Sequence, residues 1–195
     1  MSKKLLGAVV VGASVLLAGC AGFKANKLAQ VSVEELKSSS AKKTKVFSRW
    51  TVETKSKNEQ AKVMIAALHK KHFENAIASA DCCILVEGPT EADVVIEGKA
   101  FDEANPAALI PAFITGLSLY TIPSWVTATT HISASVKNKT LSQSYELNDS
   151  MTLVQWLPMI VALPFKGSPF KAENDVAENT YKNLVLNMKK DGLIN

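Results

Sequence analysis

Trp125-Val-Thr-Ala-Thr-Thr-His-Ile-Ser-Ala-Ser-Val-Lys137 alternates without a break. Val126, Ala128, Thr130, Ile132, Ala134 and Val136 fall on one side, and Thr127, Thr129, His131, Ser133 and Ser135 on the other. Successive side chains of a strand point to opposite faces, so this pattern predicts a long strand with one buried face. Asn138-Lys139 supplies a turn, and Leu141 to Asn148 returns with Leu141, Tyr145 and Leu147 on one side. The pair reads as a hairpin.

Working toward the N-terminus, Asp93 to Phe101 is a second alternating run, with Val94, Ile96, Gly98 and Ala100 on one face. Cys82 to Glu87 is a short apolar run closed by Gly88-Pro89. Val46 to Glu53 places Val46, Trp50 and Val52 opposite Phe47, Arg49 and Thr51. Between the last two lies a helix expected over about 57–78, opened by the capping-box pattern Ser56-Lys57-Asn58-Glu59. Its expected core stripe is Met64, Ile65, Leu68, His72 and Ala76, widened by Phe73 and Ile77, with His69 toward the flank. A last helix is expected over about 174–191, with Ala177, Tyr181, Leu184, Val185 and Met188 facing the core. Lys189 and Lys190 sit where the helix dipole favours cations, and Gly192 stands at a C-terminal cap position. These elements predict an α+β fold. It is expected to be a mostly antiparallel sheet of four or five strands with two amphipathic helices packed on one face, all in one domain over 46–195.

Two stretches carry no formal charge. Ala104 to Val136 has none, and within it Ala107–Ile122 is nearly all apolar; Thr152–Phe165 is the second. Both attach to the open ends of the hairpin, so two apolar segments are expected side by side at one end of the sheet. They complete the domain's own core, dip into a leaflet, or dock a membrane partner. Neither reaches the ~20 apolar residues of a span. Leu109, Ile110, Phe113, Tyr120, Trp125, Trp156, Leu157 and Phe165 are the candidate contact residues, since aromatics collect at membrane interfaces and large apolar patches mark interaction sites.

The N-terminus has its own signature. Lys3 and Lys4 precede an apolar run, Leu5 to Leu17, which closes on Leu17-Ala18-Gly19-Cys20. A basic start, a short apolar centre and small residues at the exit mark a secretory signal that is removed. The cysteine directly after Ala18-Gly19 makes this exit resemble the lipobox of bacterial lipoproteins. The resemblance covers about twenty residues and implies cleavage between Gly19 and Cys20, with Cys20 acylated as the new N-terminus. Family lipoproteins carry three acyl chains, which implies a permanent membrane anchor where one chain would hold only reversibly. Ala21, in place of an Asp, implies the outer membrane by the enterobacterial sorting rule. The layout of the body is loosely similar to that of small periplasmic α+β lipoproteins, including the lipopolysaccharide-assembly lipoprotein. Residues 20–45, polar and Lys/Ser-rich, are expected to be a flexible tether from anchor to body. One short helix is expected there, where Ser32 and Glu35 stand in capping-box spacing.

Loss of residues 1–19 removes Lys3 and Lys4 and no acid, taking the formal charge from +4 to +2. A near-neutral chain without a basic stripe gives no support for nucleic-acid binding. Cys82 and Cys83 are expected as one buried and one outward thiol, because side chains of strand neighbours diverge. His69, His72 and the two cysteines are metal-capable residue types, but their spacing does not converge as C-x₂-C does, so no metal site is expected. His131 lies among hydroxyls without a G-x-S-x-G elbow. Glu97, Asp102, Glu103, Glu146 and Asp149 are expected to be solvated strand-end carboxylates. No catalytic residues and no cofactor are therefore expected. The chain reads as a lipid-anchored envelope protein facing the periplasm, with an accessory, structural or assembly role and an envelope membrane protein as candidate partner. The alternative is a binding module for a lipid or other apolar ligand.

Overall fold

The computed structural model describes residues 20–38, 40–54, 58–159 and 169–194. The expected leader with Gly19, and the segment holding Phe165, lie outside them. The fold is α+β. Among the described residues its sheet has six strands: β1 (Cys20–Lys24), β2 (Thr44–Val52), β3 (Cys83–Leu85), β4 (Val94–Ala104), β5 (Ser124–Lys137) and β6 (Ser142–Gln155). They lie in the order β1-β6-β5-β4-β2-β3. Among the described residues the helices are α1 (Val33–Leu36), α2 (Glu59–Ala80), α3 (Leu109–Leu117) and α4 (Pro169–Lys190).

The sheet is mixed, where a mostly antiparallel one of four or five strands was expected. β2 runs parallel to both β3 and β4. The reason is the crossover: a 22-residue helix separates β2 from β3, and a helix of that length returns the chain to start a parallel strand.

The described residues group into two compact units. In the larger (Asn26–Glu103, Thr129–Ser150 and Asp175–Asn195), the alternation of the strands decides the core. Val46 and Trp50 of β2, Val94 and Ile96 of β4, and Ile132, Ala134 and Val136 of β5 are buried. Phe73, Ala76, Ile77 and Ala80 of α2 join the same cluster, as do Tyr181, Leu184, Val185 and Met188 of α4. The α4 stripe is the one the sequence predicts. That of α2 is rotated: Val63, Met64 and Leu68 are exposed, whereas His69 and Phe73 are buried. The α2 cap is Asn58, whose side chain accepts from the backbone N–H groups of Gln60 and Ala61.

Trp50 is the centre of this core. Its ring lies 5.5 Å from that of Phe73 and 5.0 Å, edge-on, from that of Tyr181. Its parallel-register partner is Gly98. A Cβ on Gly98 would stand 2.3 Å from two ring carbons of Trp50, so the glycine is the space in which the indole lies. Helix α4 ends in a Schellman motif. Gly192 has φ +70°, its N–H reaches the Lys189 carbonyl, and the Leu193 N–H reaches that of Met188.

Residues 20–45 are not a tether: they carry β1 and α1, with Ala21, Val31 and Leu36 buried. From Asn26 onward the chain is held by α4. Asn179 accepts from the Val31 N–H and donates to the Ala29 carbonyl, to which Asn183 also donates. Lys189 donates to the carbonyls of Glu35, Leu36 and Lys37, which satisfies orphan acceptors at the end of α1. The capping box between Ser32 and Glu35 is formed as expected.

Candidate functional site

The smaller unit, in its described residues 20–25, 104–128, 151–159 and 169–174, holds both Cys20 and the first apolar segment. Cys20 opens β1, which pairs antiparallel with the end of β6, placing Cys20 opposite Gln155 and Lys24 opposite Met151. The second apolar segment therefore begins as sheet: Thr152–Gln155 are strand, and Trp156 and Leu157 follow, both partly exposed. Burial raises the Cys20 thiol above its ordinary pKa, so this sulfur has less thiolate character than a solvated one. Gln155 accepts from the Ser124 hydroxyl at 3.4 Å, and the Leu157 N–H donates to the Tyr120 carbonyl at 2.8 Å. These bonds gather the strand end bearing Cys20, the start of β5 at Trp125, and the turn after α3.

Helix α3 does not complete a core. Leu109 is 72 % exposed, Phe113 69 % and Leu117 71 %, and Ile110, Leu119, Ile122 and Trp125 are also exposed. Within the helix only Thr115 is buried. The own-core alternative is thereby overturned for 107–122. Three hydroxyls stay inside the segment: Thr115 donates to the Pro111 carbonyl, Ser118 to that of Thr115, and Thr121 to that of Ser118. The Ser118 oxygen also accepts from the Ile122 N–H. Leu119 and Tyr120 both have positive φ, which turns the chain sharply out of the helix. The side chains presented outward are thus carbon. A groove of about 450 Å³ runs between this segment and β5, lined by Ala107, Ala108, Pro111, Trp125 and Val126 among others.

A second cluster, in the larger unit, was not foreseen. His69 of α2 is buried, with Nδ1 3.0 Å from the Tyr181 hydroxyl and Nε2 3.1 Å from Asp102. The Thr130 hydroxyl donates to the other Asp102 oxygen at 2.7 Å. Burial works to raise the Asp102 carboxyl, but the hydrogen bonds from His69 and Thr130 outweigh it and hold the group below the usual carboxylate range. His69 thus bridges the Tyr181 hydroxyl and the Asp102 carboxylate, one ring nitrogen to each. Burial pushes the Tyr181 hydroxyl far above its ordinary value, which keeps it protonated. His72 stacks on Tyr181, and its pKa is lowered by burial and then by the neighbouring His69. The chain Tyr181–His69–Asp102–Thr130 ties α4, α2, β4 and β5 together. Tyr181 is fully buried, so its oxygen meets no substrate.

Of the other positions, His131 and Glu146 line one pocket, together with Glu53, Lys99 and Ser133. Cys82 and Cys83 form a disulfide, replacing the expected thiols. Asp149 is buried, not solvated, and accepts from the Lys27 and Ser150 N–H groups. Glu103 lies 3.8 Å from His131, while Glu97 and Glu146 are exposed on their strands. Among the described residues no group of three or more potential metal ligands converges, and no helix is long and apolar enough to cross a membrane.

No protein-family model matches the chain, and no curated protein matches it. Among solved structures, the hypothetical protein CT253 from Chlamydia trachomatis is similar at 11 % identity and a TM-score of 0.43, over 76 % of this chain and 96 % of that one. Two PelC dodecamer structures from Paraburkholderia phytofirmans each align over 84 % of this chain and 96 % of theirs. Their identities are 11 % and 8 %, with TM-scores of 0.33 and 0.34.

Proposed function

We propose that this chain is a lipid-anchored cell-envelope lipoprotein with a non-enzymatic accessory, structural or assembly role. It is held by acylated Cys20 in the outer membrane, faces the periplasm, and contacts the membrane or a membrane partner through its apolar segments. One observation carries the reading: the cysteine that closes the lipobox opens β1 in the same compact unit that exposes Leu109, Ile110, Phe113 and Leu117. An exposed apolar patch of this kind marks a contact surface. Fractionation of a bacterial host producing the full chain or Cys20→Ala tests the proposal. The parent is expected in the outer-membrane fraction and the variant released from it; the same distribution for both would overturn the anchor. The groove between α3 and β5 favours a second reading, a binding module for an apolar ligand. Stoichiometric lipid that survives purification of the Cys20→Ala chain would favour that one.

A further inference from the structure

We infer that the α3 surface is the part of the body that lies in the leaflet carrying the acyl chains, so that the smaller unit rests on the bilayer. This deepens the anchored reading and rests on it. If the leader is cut before Cys20, the acylated residue is itself the first residue of a paired strand, with Gln155 as its register partner. No linker then separates lipid from fold. The strand end with Cys20 is joined through Gln155 to Ser124, next to Trp125, and through Leu157 to Tyr120 at the exit of α3. Acyl chains entering the leaflet at Cys20 carry that end of the unit with them.

The chemistry of the segment fits hydrocarbon. A backbone or hydroxyl group placed in lipid has to be satisfied internally. The hydroxyls of Thr115, Ser118 and Thr121 bond back to the segment's own carbonyls. Residues 104–136 carry no formal charge. Tyr120, Trp125 and Trp156 stand at the edges of the apolar runs, the level at which aromatic rings meet headgroups. Interfacial helices usually add a basic face that draws anionic lipid. This one has none, so its attachment is expected to be insensitive to salt and to anionic lipid.

The test uses the full chain made in a host that acylates lipobox cysteines, reconstituted in phosphatidylethanolamine/phosphatidylglycerol vesicles containing lipids brominated near the headgroup end of the acyl chain. Bromine quenches tryptophan only at close range. Trp125 fluorescence, isolated as the difference between the parent and Trp125→Phe, is expected to be strongly quenched, with the same quenching at high salt. Phe113→Ser with Leu117→Ser is expected to remove most of that quenching while the acylated chain stays on the vesicles. Without the anchor, in a Cys20→Ser background, the same pair is expected to weaken vesicle partitioning by roughly a hundredfold. Circular dichroism of the variants is expected to match the parent, because both replaced side chains are exposed. Trp125 unquenched on a chain shown by mass to be acylated and vesicle-bound would overturn this inference alone and leave a surface for a protein partner. A chain that mass measurement finds without acyl groups would overturn the anchored reading beneath it.

Discussion

Gly98→Ala is the most demanding test of the core. The added Cβ would stand 2.3 Å from Cε3 and Cζ3 of Trp50 and 2.6 Å from Cη2, far inside contact distance. The indole cannot swing aside at low cost, because Phe73 and Tyr181 pack against it and Trp50 is buried. Overpacking of this kind costs ~1–3 kcal/mol. The change from glycine in a strand interior returns ~0.5–1 kcal/mol. Pushing the indole out of its site would add lost burial, so the net destabilisation is expected near 2 kcal/mol. In a domain of this size that lowers the midpoint of thermal unfolding by roughly 4–8 °C. Urea unfolding followed by circular dichroism reads the same quantity as a lower midpoint at unchanged slope. In a Trp50→Leu background the penalty of Gly98→Ala is expected to shrink to within ~0.5 kcal/mol, since the coupling is a contact between two side chains. A Gly98→Ala chain as stable as the parent, or the same penalty with and without Trp50, would refute the packing argument.

Three further outcomes follow from the polar contacts. Asp102→Ala leaves the buried Nε2 of His69 without its partner and is expected to cost ~1–3 kcal/mol by denaturant unfolding. Because the folded pKa of Asp102 is depressed, its contribution is complete above the unfolded carboxylate value and is lost as pH falls from there through the lower folded value; the variant's stability should lose less than the parent's below about pH 4. The folded pKa of His72 is also depressed, by burial and by His69, so the fold favours the neutral ring. Stability is then complete above the unfolded histidine value and falls as pH drops below it, and His72→Gln should flatten the slope just below about pH 6.5. Asn179→Ala removes two bonds that hold residues 29–31 on α4, and faster amide exchange at Val31 is the expected sign.

How far these features could be read from the chain depends on the range of the interaction. The alternation of 125–137 and the stripe of α4 are local patterns, and the burial of Ile132, Ala134, Val136, Tyr181 and Leu184 follows them. Helix α2 has apolar residues on more than one side, since Val63, Met64, Ile65, Ala66, Ala67 and Leu68 are consecutive. Periodicity there supports several phases, and only the packing of Phe73 on Trp50 selects one. Residues 26–31 look like a tether because what holds them, Asn179 and Asn183, lies about 150 positions away. β1 was missed for a similar reason: a five-residue strand of small and mixed residues acquires its identity from its partner β6. The parallel pairing of β2 with β3 had a usable signal in the strand–helix–strand order, which a crossover argument would have converted into orientation. The His69–Asp102–Tyr181 chain had none. Its members are 33 and 112 positions apart and carry no common motif.

Intact-mass analysis of the chain purified from a membrane fraction tests the proposed acylation of Cys20 most directly. A polypeptide beginning at Cys20 and heavier than residues 20–195 by the mass of its acyl groups, with that mass located on the N-terminal peptide, is the predicted result. A chain that still begins at Met1 and carries a bare thiol at Cys20 would contradict it.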